Sequence, residues 1–171
     1  WSVCLKDNIA VGGVERALGS RVMRGYVPSD DATVVRRVLD AGADVTGKTN
    51  MDSFAVSGTG ELTATGPVLN PRDTDYLAGG SSSGSAAAVA AGELDLAFGT
   101  DQAGSVRVPA AWCGCVGHKP TFGLVPYTGT ASRGFFYDHV GPLTSSVADC
   151  ATALDVVAGA DGLDKRQGPG P

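Results

Sequence analysis

The chain of 171 residues is 43% hydrophobic and 18% charged, which allows a buried core and excludes a disordered or fibrous sequence. A net charge of -5 and a pI near 4.8 speak against a nucleic-acid partner, because such binding relies on clustered lysine and arginine and no basic run exceeds Arg36-Arg37. No stretch approaches the ~20 apolar residues that cross a bilayer, and no charged segment followed by an apolar one opens the chain, so a cytoplasmic location is expected.

Ser2-Val-Cys-Leu-Lys6 has strand composition and ends at the turn-like Lys6-Asp7-Asn8. Residues 11 to 30 read as a surface loop. A helix is predicted to start at Ser29-Asp30-Asp31, one of them its N-cap, with Val34, Val35, Val38 and Leu39 as its apolar stripe and Gly42 as its stop. Residues 43 to 47 form a short strand, and this β, α, β order favours a parallel sheet. From Lys48 to Ala78 glycine and proline punctuate a long loop, a natural pocket wall. A short alanine helix (Ala86 to Ala91), a buried strand (Leu94 to Phe98), a turn (Gly99 to Ser105) and a helix from Val106 to Trp112 follow, with Pro109 in the first turn of that helix. Met51 and Trp112 read as core. After Cys113, residues 116 to 129 alternate extended segments with turns, and 130 to 145 read as loop. Ser146-Val-Ala-Asp149 caps an amphipathic helix through Val157 whose apolar face is Val147, Ala151, Leu154 and Val157. The tail from Gly159, rich in glycine, proline and charge, is expected to fray or to lead elsewhere.

Four scattered cysteines, Cys4, Cys113, Cys115 and Cys150, read as reduced thiols. Cys113-x-Cys115-x-x-His118 could supply three metal ligands, but no second cluster completes a site.

Two hydroxyl-rich turns carry the chemistry. Gly79-Gly-Ser-Ser-Ser-Gly-Ser85 taken alone fits a flexible linker, an anion cradle at a helix start, or a catalytic loop. Thr100-Asp-Gln-Ala-Gly-Ser105 adds a tight turn whose backbone N–H groups precede a hydroxyl at a helix start, an arrangement suited to an oxyanion. No Gly-Lys-Ser/Thr triplet supports a Walker-type phosphate loop, and neither His118 nor His139 sits in a nucleophile-elbow pattern. Lysine is a base only when neutral. Lowering its pKa from ~10.4 to about 7 costs the charged form roughly 4 to 5 kcal/mol, which burial can supply, and Lys6 at the end of an apolar strand is the candidate. Asp101 and Arg107 read as an ion pair bracing the Ser105 turn. His118 and Lys119 read as structural or surface residues.

Five ordered stretches, Val3 to Ile9, Gly47 to Met51, Gly79 to Gly92, Gly99 to Pro109 and Cys113 to Thr121, together resemble the amidase signature family. The run from Lys119 to Gly129 is most similar to bacterial amidases acting on aliphatic and aromatic carboxamides. The resemblance implies an α/β fold with a mixed, largely parallel sheet covered by helices on both faces, and one core domain over residues 1–171 that is a fragment of a longer polypeptide. It also implies a Ser-Ser-Lys triad: Ser105 as nucleophile, Ser81 as the bridging serine held by a cis peptide, and Lys6 as terminal base. N–H groups of Gln102, Ala103, Gly104 and Ser105 would hold the oxyanion. Ser83 and Ala103 stand where the family usually has glycine, and a positive φ at Ala103 would store ~1 kcal/mol or more of strain. The expected reaction converts a small carboxamide to acid and ammonia without metal or organic cofactor. Expected partners are that substrate and either a second copy of the chain or a second chain that completes the fold. The other reading is a non-catalytic or assembly-dependent subunit of an amidase or of a tRNA-dependent amidotransferase.

Overall fold

The computed structural model describes residues 1–167. Its centre is a five-stranded sheet formed by β1 (Ser2–Lys6), β2 (Asp44–Thr49), β5 (Leu96–Asp101), β6 (Val116–Gly117) and β7 (His139–Thr144), in the order β2-β1-β5-β7-β6. Strands β2, β1 and β5 run parallel, and β7 and β6 add antiparallel pairings at the other side. A separate hairpin pairs β3 (Leu69–Asn70) with β4 (Asp73–Leu77).

Helices cover both faces, as the alternation of the strands requires. In β5, Leu96 and Phe98 join Val3, Leu5 and Val140 under α1 (Thr33–Asp40) and α4 (Val147–Val157). Ala97 turns the opposite way, with Leu143, toward α2 (Ser83–Ala90) and α3 (Arg107–Cys113). The second core is built from small residues, including Ala78, Ala86 and Ala110, so α2 and α3 come close to the sheet. That closeness brings the serine-rich loop to the ends of β1 and β5.

Several expectations give way to tertiary context. Residues 130–145 are not all loop: Gly141 and Pro142 look like breakers, yet β7 pairs along the whole of β5. β5 itself continues through Gly99 and Thr100 to Asp101, and the long 48–78 segment holds the β3–β4 hairpin. Helix α1 starts at Thr33 from Ala32 without a side-chain cap, because the Asp31 carboxylate accepts the Gly12 N–H and Ser29 donates to Asp30. Leu39 is exposed, as is Trp112, while Met51 is fully buried. Ser146 does cap α4, accepting the Asp149 N–H at 3.1 Å, but the buried face is Cys150, Ala153 and Val157. Val147 is 73% exposed, since two overlapping stripes of small residues run along this helix and the bulkier-looking one lost.

The segment after α4 is tied down as far as it is described. Arg37 donates to the carbonyls of Val157, Ala158, Gly159 and Ala160, and Asp161 accepts from Thr33. Arg166 pairs with Asp164 at 2.6 Å, both side chains 6% exposed, and its guanidinium lies 4.2 Å over the Tyr127 ring. The expected fraying therefore does not apply to residues 159–167, and residues 168–171 lie outside the described residues. Among the described residues no helix is long and apolar enough to cross a membrane.

Candidate active site

Alternation along β1 sends Val3 and Leu5 into the α1/α4 core and Lys6 to the opposite face, toward the loop that leads into α2. There Lys6 is wholly buried. Its Nζ donates to Ser81 Oγ at 2.7 Å and to the Thr100 carbonyl at 3.3 Å. Among the described residues it makes no ion pair. Burial pushes its amine down to about 7, against the opposing pull of the Asp52, Asp101 and Asp138 carboxylates.

The serine loop is fixed from three sides. The Gly80-Ser81 peptide is cis. The Asp52 N–H donates to the Ser81 carbonyl at 3.2 Å, and the buried Asp52 carboxylate accepts the N–H groups of Gly60 and Leu62. Asp52 lies so close that a Cβ at Gly80 would sit 2.0 Å from its Oδ2, so only glycine fits. Ser82 joins this loop to the second turn: its N–H donates to the Ser105 carbonyl at 3.1 Å, and its hydroxyl bonds the backbone of Thr100. Gly99 permits that approach, since a Cβ there would meet Ser82 Oγ at 2.5 Å.

The turn after β5 is organised by Asp101. Its carboxylate accepts the N–H groups of Gly104 at 2.8 Å and Val106 at 3.1 Å, and a two-pronged contact from Arg107 at 3.0 and 2.9 Å. Burial raises this carboxyl, and the Arg107 and amide hydrogen bonds outweigh it, holding the group below the usual range. The bracing pair expected from the sequence is therefore present. Gly104 departs from expectation: its N–H is turned into Asp101 and away from the cavity. The amides of Gln102, Ala103 and Ser105 donate to no acceptor among the described residues. Gly104 carries the positive φ of the turn, at 124°, and Ala103 is spared it.

Lys6 thus meets Ser81, and Ser81 shares a cavity of about 140 Å³ with Ser105 and Gln102. Ala103 is exposed and is not among the residues lining this cavity. Of the residues on the remaining wall, Asn8, Met51 and Tyr127 lie in the resembling stretches without a site role assigned to them, and Phe54, Arg133 and Asp138 lie outside those stretches. Asp138 accepts from Ser132 and from the N–H groups of Arg133 and Gly134, holding the loop that closes one side. Asn8 was legible as a turn residue following Lys6 and as part of the Val3 to Ile9 stretch, with no role in the site assigned to it.

The cysteine cluster lies elsewhere. Cys113 Sγ donates to the Ala78 carbonyl at 3.3 Å and Cys115 Sγ to that of Ala86 at 3.9 Å, and burial pushes both thiols up to about 11. All four cysteines are unpaired, and among the described residues no three His, Cys, Asp or Glu side chains gather as a metal site.

Residues 2–171 match the family model named Amidase. The chain is 52% identical over 163 residues to a glutamyl-tRNA(Gln) amidotransferase subunit from Natronomonas pharaonis, covering 95% of this chain and 38% of that protein. It is 51% identical over 168 residues to an enantioselective amidase of Rhodococcus rhodochrous, covering 97% of this chain and 32% of that one. Among solved structures, native peptide amidase from Stenotrophomonas maltophilia superposes with a TM-score of 0.93 at 40% identity, over 99% of this chain and 36% of that one. The chain spans about a third of the length of each of these relatives. With these motifs, this sheet and a family match running nearly end to end, the chain belongs to the amidase (amidase signature) family.

Proposed function

We propose that the chain is the catalytic core of an amidase that hydrolyses the C–N bond of small carboxamides through a Ser105 acyl-enzyme. The observation that carries this reading is the 2.7 Å contact between a wholly buried Lys6 amine and Ser81, on the wall of a cavity shared with Ser105. A neutral Lys6 draws the proton of Ser81, Ser81 draws that of Ser105, and the Ser105 oxygen attacks the amide carbon. The returning proton is delivered to the leaving nitrogen, which departs as ammonia, and water then releases the acid. The N–H groups of Gln102, Ala103 and Ser105 are the donors offered to the oxyanion, each typically worth ~3 kcal/mol. No step calls for a metal or organic cofactor, and the free thiols suit a cytoplasmic setting.

Labelling with a fluorophosphonate, followed by peptide mapping and an ammonia assay on benzamide, tests the reading. An adduct on Ser105 with ammonia release is expected.

A second reading has its own support, because an amidotransferase component matches as closely as an amidase does, at 52% against 51% identity. In that case the chain needs a partner to complete its pocket. Absence of an adduct from the isolated protein, with labelling restored by a partner protein, would favour it.

A further inference from the structure

We propose that Asn8 reads the N–H of the substrate: its side-chain oxygen accepts a hydrogen bond from the carboxamide nitrogen, selecting amides over esters with the same acyl group. The inference rests on the amide-hydrolase reading of the cavity and assigns to it a residue outside the serine and lysine relay.

Asn8 is 3% exposed and lines the cavity together with Ser81, Thr100 and Ser105. Its Nδ2 donates to Thr100 Oγ1 at 3.0 Å and to the Ala131 carbonyl at 3.4 Å. A carbonyl can only accept, so the nitrogen has to face Ala131 and the oxygen is turned away from it. The backbone holds this orientation, with the Ala131 N–H donating to the Asn8 carbonyl at 2.8 Å. The Tyr127 hydroxyl donates to the same Ala131 carbonyl, at 3.4 Å, and lies beside the Thr100 and Asn8 side chains. What is left is Asn8 Oδ1, a buried acceptor without a donor among the described residues.

A buried acceptor left unpaired is unfavourable, and a ligand N–H that reaches it removes that penalty. A primary carboxamide brings two N–H groups on the atom next to the carbon that Ser105 attacks. An ester of the same acid brings none. The cavity is therefore lined, beside the proposed nucleophile, by a residue whose buried acceptor is unpaired, and a substrate N–H that reaches this acceptor distinguishes the two.

The test separates binding from chemistry by using the Ser105→Ala protein as background and titrating benzamide and methyl benzoate calorimetrically, with and without Asn8→Leu. Loss of one neutral hydrogen bond is expected to weaken benzamide about tenfold and methyl benzoate less than twofold. Equal weakening of both, or an unchanged benzamide affinity, would overturn the assignment. Should Asn8→Leu fail to fold, as judged by its thermal melt, Asn8→Ala is titrated against the same ligands with the same criteria. Ammonia release from benzamide by the unaltered enzyme tells the two failures apart. If release persists while the Asn8 variants do not discriminate, only Asn8's role is lost. If neither ligand binds the Ser105→Ala protein, the assignment falls, and the amidase reading falls with it when ammonia release is also absent.

Discussion

Lys6 and Lys48 sit at the same end of the sheet on neighbouring parallel strands, yet their surroundings differ in one respect. Lys48 faces a carboxylate: its Nζ lies 3.0 Å from Asp7 Oδ1, with the two side chains 11% and 15% exposed. Lys6 is wholly buried and meets only a hydroxyl and a carbonyl. Burial lowers both amines, but at Lys48 the Asp7 carboxylate opposes that effect from contact distance, whereas the carboxylates that oppose it at Lys6 act without touching it. We propose that taking away water without supplying a counter-ion is what fits Lys6 to act as a base. The same residue type one strand away keeps a carboxylate partner at 3.0 Å.

Replacing each lysine sharpens the contrast. Lys6→Ala is expected to lower kcat for benzamide about 1000-fold with the fold intact, the scale of a lost general base. Retention of most activity would rule out the lysine relay.

Stability should move the other way. In the unfolded chain Lys6 titrates near 10.5 and in the folded protein near 7, so between these values the unfolded chain holds the extra proton. Stability from this group therefore rises as pH climbs from about 7 to about 10.5, and below 7 the full penalty of the buried charge applies. Lys6→Met should remove that rise and stabilise the protein at pH 7 by about 3 kcal/mol, after allowing for the hydrogen bonds lost by Ser81 and Thr100. Urea titrations of both proteins across this range measure it, and parallel stability–pH curves would contradict it.

Lys48→Met should have the smallest effect. It removes one partner of a partly buried pair while Asp7 keeps the Gly19 N–H, so a loss of about 1 kcal/mol is expected in the same titrations. Activity should stay within about threefold.

The halves of the site were unequally legible. Lys6, Ser81 and Ser105 lie at the ends of short patterned stretches, and glycine-rich turns next to a strand or helix announce themselves in a sequence. Asp101 with Arg107 was legible for the same reason, six residues apart across one turn. Asp52 was not, because a single carboxylate in a long loop gains meaning only when Gly60, Leu62 and Gly80 close around it. The wall contributed by Tyr127 and Asp138 was hidden because its position depends on β7, whose Gly141-Pro142 pair reads as a break until β5 is beside it. The segment after α4 was misjudged from its composition, since the carbonyls that Arg37 binds carry no signature in side-chain identity. The use of the Gly104 N–H by Asp101 likewise follows from turn geometry that the residue names leave open.

The central claim is that the Lys6 amine is half neutral near neutrality inside the folded protein. Direct titration of its Nζ by nitrogen-15 NMR in lysine-labelled protein, assigned with Lys6→Met, measures this without any substrate. An inflection near pH 7 is expected, and one near 10.5 would contradict it.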